Sequence, residues 1–155
     1  MTVVTRCLIA IALAATAGCT TTTEHSGKID PTIASFIEPQ DIKWVPNAAG
    51  TAESAVLYGD PTKPGLYITR NKWKAGNMSR PHFHPNDRLI VVLSGTWWVG
   101  TGDVFDPNNT VPMRAGTYVT HYAKKIHYDG AKDEDTIIQI HGIGPAASTP
   151  AERKP

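Results

Sequence analysis

The sequence predicts an all-β domain, either a sandwich or a barrel, that follows an N-terminal export signal. Short apolar or alternating runs recur at intervals of about a dozen residues, which is typical of such folds. Gly, Pro, Asn and Asp separate the runs at residues 59–65, 74–77 and 106–110 and predict turns there. Only residues 31–38 suggest a short helical turn. The predicted strands lie in DIKWV, AVLYG, GLYITRNKW, RLIVVLSG, TWWVG, GTYVTHY and TIIQIHG.

The first residues have the order of a secretory signal. Arg6 precedes an apolar stretch at residues 7–17, and small residues follow it. This stretch is too short to span a membrane. Residues 15–17 suit ordinary signal cleavage, whereas residues 17–19 resemble a bacterial lipoprotein box, which makes Cys19 the candidate lipidation residue. We therefore expect an exported protein that is periplasmic or anchored to the membrane as a lipoprotein.

The chain divides into four segments. Residues 1–18 are the predicted signal peptide, and residues 19–28 are polar and of low complexity, as expected for a tether. Residues 29–147 form the predicted domain, whose apolar content suffices for one core. Residues 148–155 are predicted to be a flexible tail.

The cysteine count argues against a fold stabilised by an intramolecular disulfide, and the net charge argues against a nucleic-acid-binding protein. Cys7 leaves with the signal, so Cys19 has no partner for an intramolecular disulfide, and the core alone, or the core with a metal, must hold the fold. Loss of Arg6 leaves 14 basic and 14 acidic side chains. A neutral chain without a basic stripe is not expected to bind nucleic acid, and any membrane attachment would be through lipid.

Two histidines one residue apart are the first candidate metal ligands. If residues 79–84 are extended, His82 and His84 project from one face, roughly 6.5 to 7 Å apart, and can converge on one ion. A third ligand must come from another strand, and His127 is the first choice. The reserve candidates are His121 and His141. The alternative is a pair of partly exposed histidines without a metal.

The spacing around this pair resembles the first motif of the cupin family. Gly76, His82, His84 and Gly95 stand at the motif positions, and Arg88 replaces the usual glutamate. The resemblance to the second motif is weaker. Gly116 and His127 match that motif. Tyr122 stands in place of its proline, and Lys124 stands in place of its glycine.

The resemblance covers residues 36–145 and is to small single-domain bacterial cupins related to the cupin half of ChrR-type anti-sigma factors. It implies a double-stranded β-helix, or jelly roll, with a divalent metal inside the barrel, either zinc, iron or manganese. The implied ligands are His82, His84 and His127. It also implies a homodimer, and it is compatible with oxygenase-, isomerase- or lyase-like chemistry on a small molecule.

Arg88 leaves three interpretations open. It turns away and pairs with an acid such as Asp87, it points into the barrel and holds an anionic substrate beside the metal, or the site is a metal-free relic. His141 is a second candidate substrate-binding residue if its side chain faces the inside of the barrel. Otherwise it is a core histidine. Of the adjacent Trp97 and Trp98, at most one can face inward, most simply as core packing.

Two classes of function follow. One is a metal-dependent enzyme that acts on a small, anionic molecule bound by Arg88. The other is a non-catalytic module that binds a small molecule or senses zinc, with or without a metal. The fold does not decide between them.

Overall fold

A computed structural model describes residues 27–153, in which almost all regular structure is β-strand. A short 3-10 helix spans Pro39–Asp41. Eleven strands follow: β1 (Val45–Pro46), β2 (Ala52–Tyr58), β3 (Gly65–Trp73), β4 (His82–Phe83), β5 (Arg88–Ser94), β6 (Thr96–Thr101), β7 (Val111–Arg114), β8 (Tyr118–His121), β9 (His127–Gly130), β10 (Thr136–Gly144) and β11 (Thr149–Pro150).

The strands form two antiparallel sheets. The first has the order β1-β2-β3-β10-β5-β8, and the second has the order β11-β4-β9-β6-β7. Neighbours in a sheet, such as β3 and β10 or β4 and β9, are therefore often distant in sequence, as in a jelly roll. The prediction of an all-β double-stranded β-helix is confirmed.

The core lies between the two sheets. Side chains alternate along each strand, so that one face of β10 contributes Ile138 and Ile140, each 2% exposed, to the interior. Across from them, Trp97 of β6 is 1% exposed. The remaining buried members of this cluster are Tyr67, Ile90, Val92 and Val99.

The compact β unit begins at Ile37, later than the expected start at residue 29. Residues 27–36 belong to a separate unit. Within it, the Asp30 carboxylate accepts hydrogen bonds from the Thr32 backbone N–H at 2.8 Å and from the Thr32 hydroxyl at 2.7 Å. The Ile33 and Ala34 N–H groups also donate to the Asp30 carbonyl, at 3.0 Å and 3.1 Å, which gives a short turn where the sequence suggested a helical one.

The segment after residue 147 is paired, although the sequence suggested a flexible tail. Strand β11 pairs with β4, and Ala151 donates its N–H to the Pro81 carbonyl at 2.9 Å. The Arg80 guanidinium also pairs with Glu152. Because the edge of β4 offers free backbone groups, a short polar segment can complete the sheet without an apolar pattern of its own.

No helix within residues 27–153 has the length and apolar character needed to cross a membrane. The predicted signal peptide, Cys19 and His25 lie outside the described residues.

Candidate metal centre

A pocket of about 400 Å³ lies between the two sheets. Its apolar wall comes from Ile90, Trp97, Ile138 and Ile140. Its polar wall comes from Arg80, His82, His84, Arg88, His121 and Asp129. A volume of this size suits a small molecule.

The structure brings His82, His84 and His127 together. β4 and β9 are paired so that His82 lies directly opposite His127, and His84 follows at the end of β4. The Nε2 atoms of His82 and His84 are 3.2 Å apart. The ring centre of His127 is 4.5 Å from that of His82 and 5.2 Å from that of His84. Their ligand atoms all lie within 4.8 Å of one another, which is within reach of one ion.

Backbone carbonyls fix the tautomer of all three imidazoles. Nδ1 of His82 is 2.8 Å from the Arg80 oxygen, Nδ1 of His84 is 2.7 Å from the Ala147 oxygen, and Nδ1 of His127 is 3.0 Å from the Lys125 oxygen. Since a carbonyl oxygen can only accept, each Nδ1 must carry the proton. Each Nε2 therefore presents a lone pair toward the other two rings.

This donor set fits a divalent metal. Two of the Nε2 lone pairs face each other at 3.2 Å, and the buried Nε2 of His127 has no hydrogen-bond partner. A cation among the three rings would satisfy acceptors that otherwise repel one another. Neutral imidazole suits zinc and iron sites, and the backbone bonds to Nδ1 supply the orientation that metal-bound histidines usually have.

The environment keeps the buried histidines neutral. Burial lowers the pKa of His84 to about 3, with the Arg88 charge as the next cause. Burial also lowers the pKa of His121 to about 2, with the neighbouring His127 as the next cause. The pKa of His127 is lowered by burial as well, although Asp129 opposes that shift. Neutral imidazole is the form that binds metal.

Arg88 points into the site. Its Nη1 donates a hydrogen bond to Nε2 of His84 at 2.8 Å, and its buried Nε has no partner. Asp87, one acid considered as its partner, instead accepts a hydrogen bond from the Ala123 backbone N–H at 2.6 Å. The guanidinium thus takes up one of the three converging lone pairs.

The site contains two further residues that the sequence analysis did not place among the first-choice ligands. His121, a reserve candidate, is 8% exposed, and its ring centre is 3.9 Å from that of His127. Asp129 was missed, although it follows His127 by two residues in one strand and so shares its face. Its Oδ2 lies 3.8 Å from Nε2 of His127. Alternation along β9 was the signal that would have found it.

His141 does not line the pocket. Its neighbour Ile140 faces the interior, and Nε2 of His141 is hydrogen-bonded to Gln139 Nε2 at 2.9 Å, two residues away in β10. We therefore do not retain His141 as a substrate-binding residue. The adjacent tryptophans diverge as expected for a strand: Trp97 lines the pocket, whereas the Lys132 ammonium lies 3.9 Å from the Trp98 ring centre.

Comparisons with known proteins identify the fold. No protein-family model and no curated protein matches the sequence. The polyketide cyclase RemF from Streptomyces resistomycificus aligns with a TM-score of 0.64 and 15% identity, over 78% of this chain and 87% of its own. KdgF from Halomonas sp. aligns with a TM-score of 0.54 and 15% identity, over 71% and 95%. An RmlC-like cupin protein from Ralstonia eutropha aligns with a TM-score of 0.56 and 21% identity, over 71% and 68%. The chain has the cupin fold.

The predicted resemblance to cupins is confirmed at the level of the fold, while the relation to ChrR-type domains stays a prediction. The second cupin motif also explains one backbone feature. Lys124, which stands where the motif has glycine, adopts a φ of 61°, in the left-handed region that glycine favours. Its N–H donates to the His84 carbonyl at 2.7 Å and so ties the two motifs together.

Proposed function

We propose that this protein binds a divalent metal ion with His82, His84 and His127 and uses it on a small anionic molecule held by Arg88. The observation that carries the proposal is the convergence of three Nδ1-protonated imidazoles on one point beside a guanidinium. A bound ion would supply Lewis-acid polarisation of the substrate. A guanidinium beside it would orient a carboxylate through paired hydrogen bonds.

The size and lining of the pocket favour a small molecule. Apolar side chains from both sheets face the histidines across about 400 Å³, so the ligand needs an apolar body and an anionic end. Proteins with this fold include a polyketide cyclase and DMSP lyases. These relatives support an activity on small molecules.

Metal content and ligand binding test the proposal separately. Elemental analysis of protein purified without chelators, followed by zinc and manganese titration, should show one ion per chain, and His127→Gln should lose it. A thermal-shift screen of small mono- and dicarboxylates should give ligands whose affinity falls about 10-fold to 100-fold in Arg88→Gln, as expected for loss of a charged hydrogen bond. Arg70→Gln is the matched control, because Arg70 bonds Gln139 away from the pocket.

A non-catalytic binding module is the second candidate, and one observation favours it. Arg88 already donates to His84 Nε2, so the chain carries its own cation where a cupin metal would bind. A wild-type protein that binds carboxylates through Arg88 but binds no metal at millimolar concentration would establish this alternative.

Export is a separate proposal that rests on the sequence of residues 1–19. We expect intact mass of the exported protein to show a chain that begins near residue 18 or 19. Cys19→Ala should release the protein from the membrane fraction if Cys19 carries the lipid. Retention of Met1 in the cell envelope would contradict export with cleavage, and membrane association that survives Cys19→Ala would contradict the anchor.

A further inference from the structure

A second group of metal-ligating side chains adjoins the first group, which is His82, His84 and His127. His121, His127 and Asp129 are 8%, 4% and 6% exposed, and their ligand atoms all lie within 4.8 Å of one another. β8 contributes His121 and β9 contributes the other two, so the group draws on both sheets. His127 belongs to both groups.

Two ring nitrogens of this second group have no hydrogen-bond partner. The buried Nε2 atoms of His121 and His127 have no hydrogen-bond partner. Nδ1 of His127 donates to the Lys125 carbonyl, so its Nε2 carries a lone pair, and this atom faces Asp129 Oδ2 at 3.8 Å. Two acceptors that face each other without a proton or a cation between them are unfavourable in a buried site.

Asp129 is held with one oxygen free. The Trp97 indole N–H donates to Oδ1 at 3.3 Å, which leaves Oδ2 directed toward His127. Asp129 thus brings the carboxylate that position 88 lacks, from the strand of the second motif. Its negative charge also offsets the repulsion between an ion and the nearby guanidinium.

Arg88 discriminates between the two groups. Its hydrogen bond to His84 Nε2 occupies a ligand atom of the first group, whereas no ligand atom of the second group accepts from it among the described hydrogen bonds. His121 lies directly opposite Arg88 in the pairing of β5 with β8. The strand next to the altered position therefore supplies a ligand of its own.

We propose that a divalent transition-metal ion binds His121, His127 and Asp129 while Arg88 is hydrogen-bonded to His84. This inference rests on the proposed function and deepens it: the ion that His82, His84 and His127 hold once a ligand has drawn Arg88 away is held by the second group before that ligand binds. Two imidazoles and one carboxylate with open positions suit iron(II), manganese or zinc. Because His127 has one free lone pair, the two groups cannot be filled at once. A ligand that draws Arg88 away from His84 opens the first group.

Zinc and manganese titration by calorimetry of chelator-treated full chain tests the proposal. In the wild-type background, Asp129→Asn and His121→Gln should each lower affinity at least 10-fold, whereas His82→Gln should change it less than about 3-fold. In an Arg88→Ala background the order should reverse, with His82→Gln and His84→Gln causing the larger loss. Asp103→Asn and His141→Gln are matched controls, because both lie outside the pocket, and neither should change affinity.

The possible results distinguish the second group from the proposed function. If His82→Gln and His84→Gln abolish wild-type binding while Asp129→Asn and His121→Gln do not, the second group is overturned and the proposed function stands. If wild type binds neither metal, both fail together. Asn keeps the shape of Asp129 and can still accept from Trp97, and the near-ultraviolet circular dichroism of the four tryptophans checks that the variant is folded. The His82 and His84 variants test the proposal even if the Asp129 variant unfolds.

Discussion

Arg88 stands where the first cupin motif has glutamate, and its replacement by glutamate has two effects on the metal. At about 6 Å and an effective dielectric of about 20, a guanidinium repels a divalent ion by on the order of 5 kcal/mol. Arg88→Glu removes this repulsion, releases His84 Nε2 and adds an anionic ligand. We expect zinc affinity, measured by calorimetry, to rise at least 10-fold, while binding of carboxylates is lost.

The gain should depend on the first group of histidines. Adding His84→Gln to Arg88→Glu should cancel most of it, whereas adding His141→Gln should not. Equal zinc affinity in wild type, Arg88→Ala and Arg88→Glu would show that position 88 has no influence on the ion.

Lys124 offers a test of backbone conformation at the same site. An L-residue in the left-handed region costs roughly 1 to 2 kcal/mol of stability, and glycine avoids this steric cost. Glycine also loses more conformational entropy on folding, which offsets part of the gain. Lys124→Gly should therefore stabilise the protein by about 0.5 to 1 kcal/mol in urea unfolding. Lys125→Gly, one residue along and without a positive φ, should destabilise it by a similar amount. The same sign for both variants would contradict this account.

At this scale the sequence predicted much of the site. Spacing placed His82 and His84 on one face, and His127 was already the first choice for the third ligand before the resemblance supported it. Asp129 was within reach of the same alternation but carried no motif. The direction of Arg88 was not predictable, because its side chain can turn toward Asp87 or toward His84. In the structure the Ala123 backbone N–H donates to Asp87, and Arg88 donates to His84.

Strand β6 depends on a glycine that faces a tyrosine. Gly100 pairs with Tyr128 of β9, and a Cβ at position 100 would collide with the tyrosine ring. Tyr128 is 1% exposed and donates its hydroxyl to the Asp106 carbonyl at 3.0 Å, so the ring has little freedom to move. Gly100→Ala should destabilise the protein by about 1 to 3 kcal/mol, the usual cost of overpacking.

Urea unfolding of a double-mutant cycle isolates the cause. In a Tyr128→Leu background the cost of Gly100→Ala should fall by more than half, because the aromatic ring is gone. An unchanged cost would assign the effect to the strand backbone instead.

The strands differ in how well the sequence revealed them. β5 and β10 alternate between buried and exposed side chains over most of their length, and they were predicted. β11 was not, because a two-residue strand with a proline has no periodicity and exists only through its partner β4. Pairing between distant segments is tertiary information that a local pattern does not contain.

Across the whole molecule, the buried histidines predict a loss of stability in acid. The lowered pKa values of His84, His121 and His127 keep them neutral when folded, whereas they titrate near 6.5 when unfolded. Between about pH 6.5 and pH 3 the unfolded chain therefore binds more protons, so stability is full above pH 6.5 and falls as the pH is lowered. The slope should reach about 1.4 kcal/mol per pH unit for each of His84 and His121.

Urea unfolding of metal-free protein at pH 7.5, 6 and 5 measures this slope. His121→Gln should make it shallower. A flat profile from pH 7.5 to 5 would mean that these histidines are protonated in the folded state.

The hydrogen bond from His84 to Ala147 bears on the order in which the protein matures. The acceptors for His82 and His127 lie two residues from them in the chain, but the acceptor for His84 lies 63 residues away. During folding, the first two rings can be oriented by their own segments, whereas the third must wait until the chain around Ala147 has packed beside it. We therefore expect the ion to enter a barrel that is already closed, and not to serve as the nucleus around which it folds, in contrast to a zinc finger.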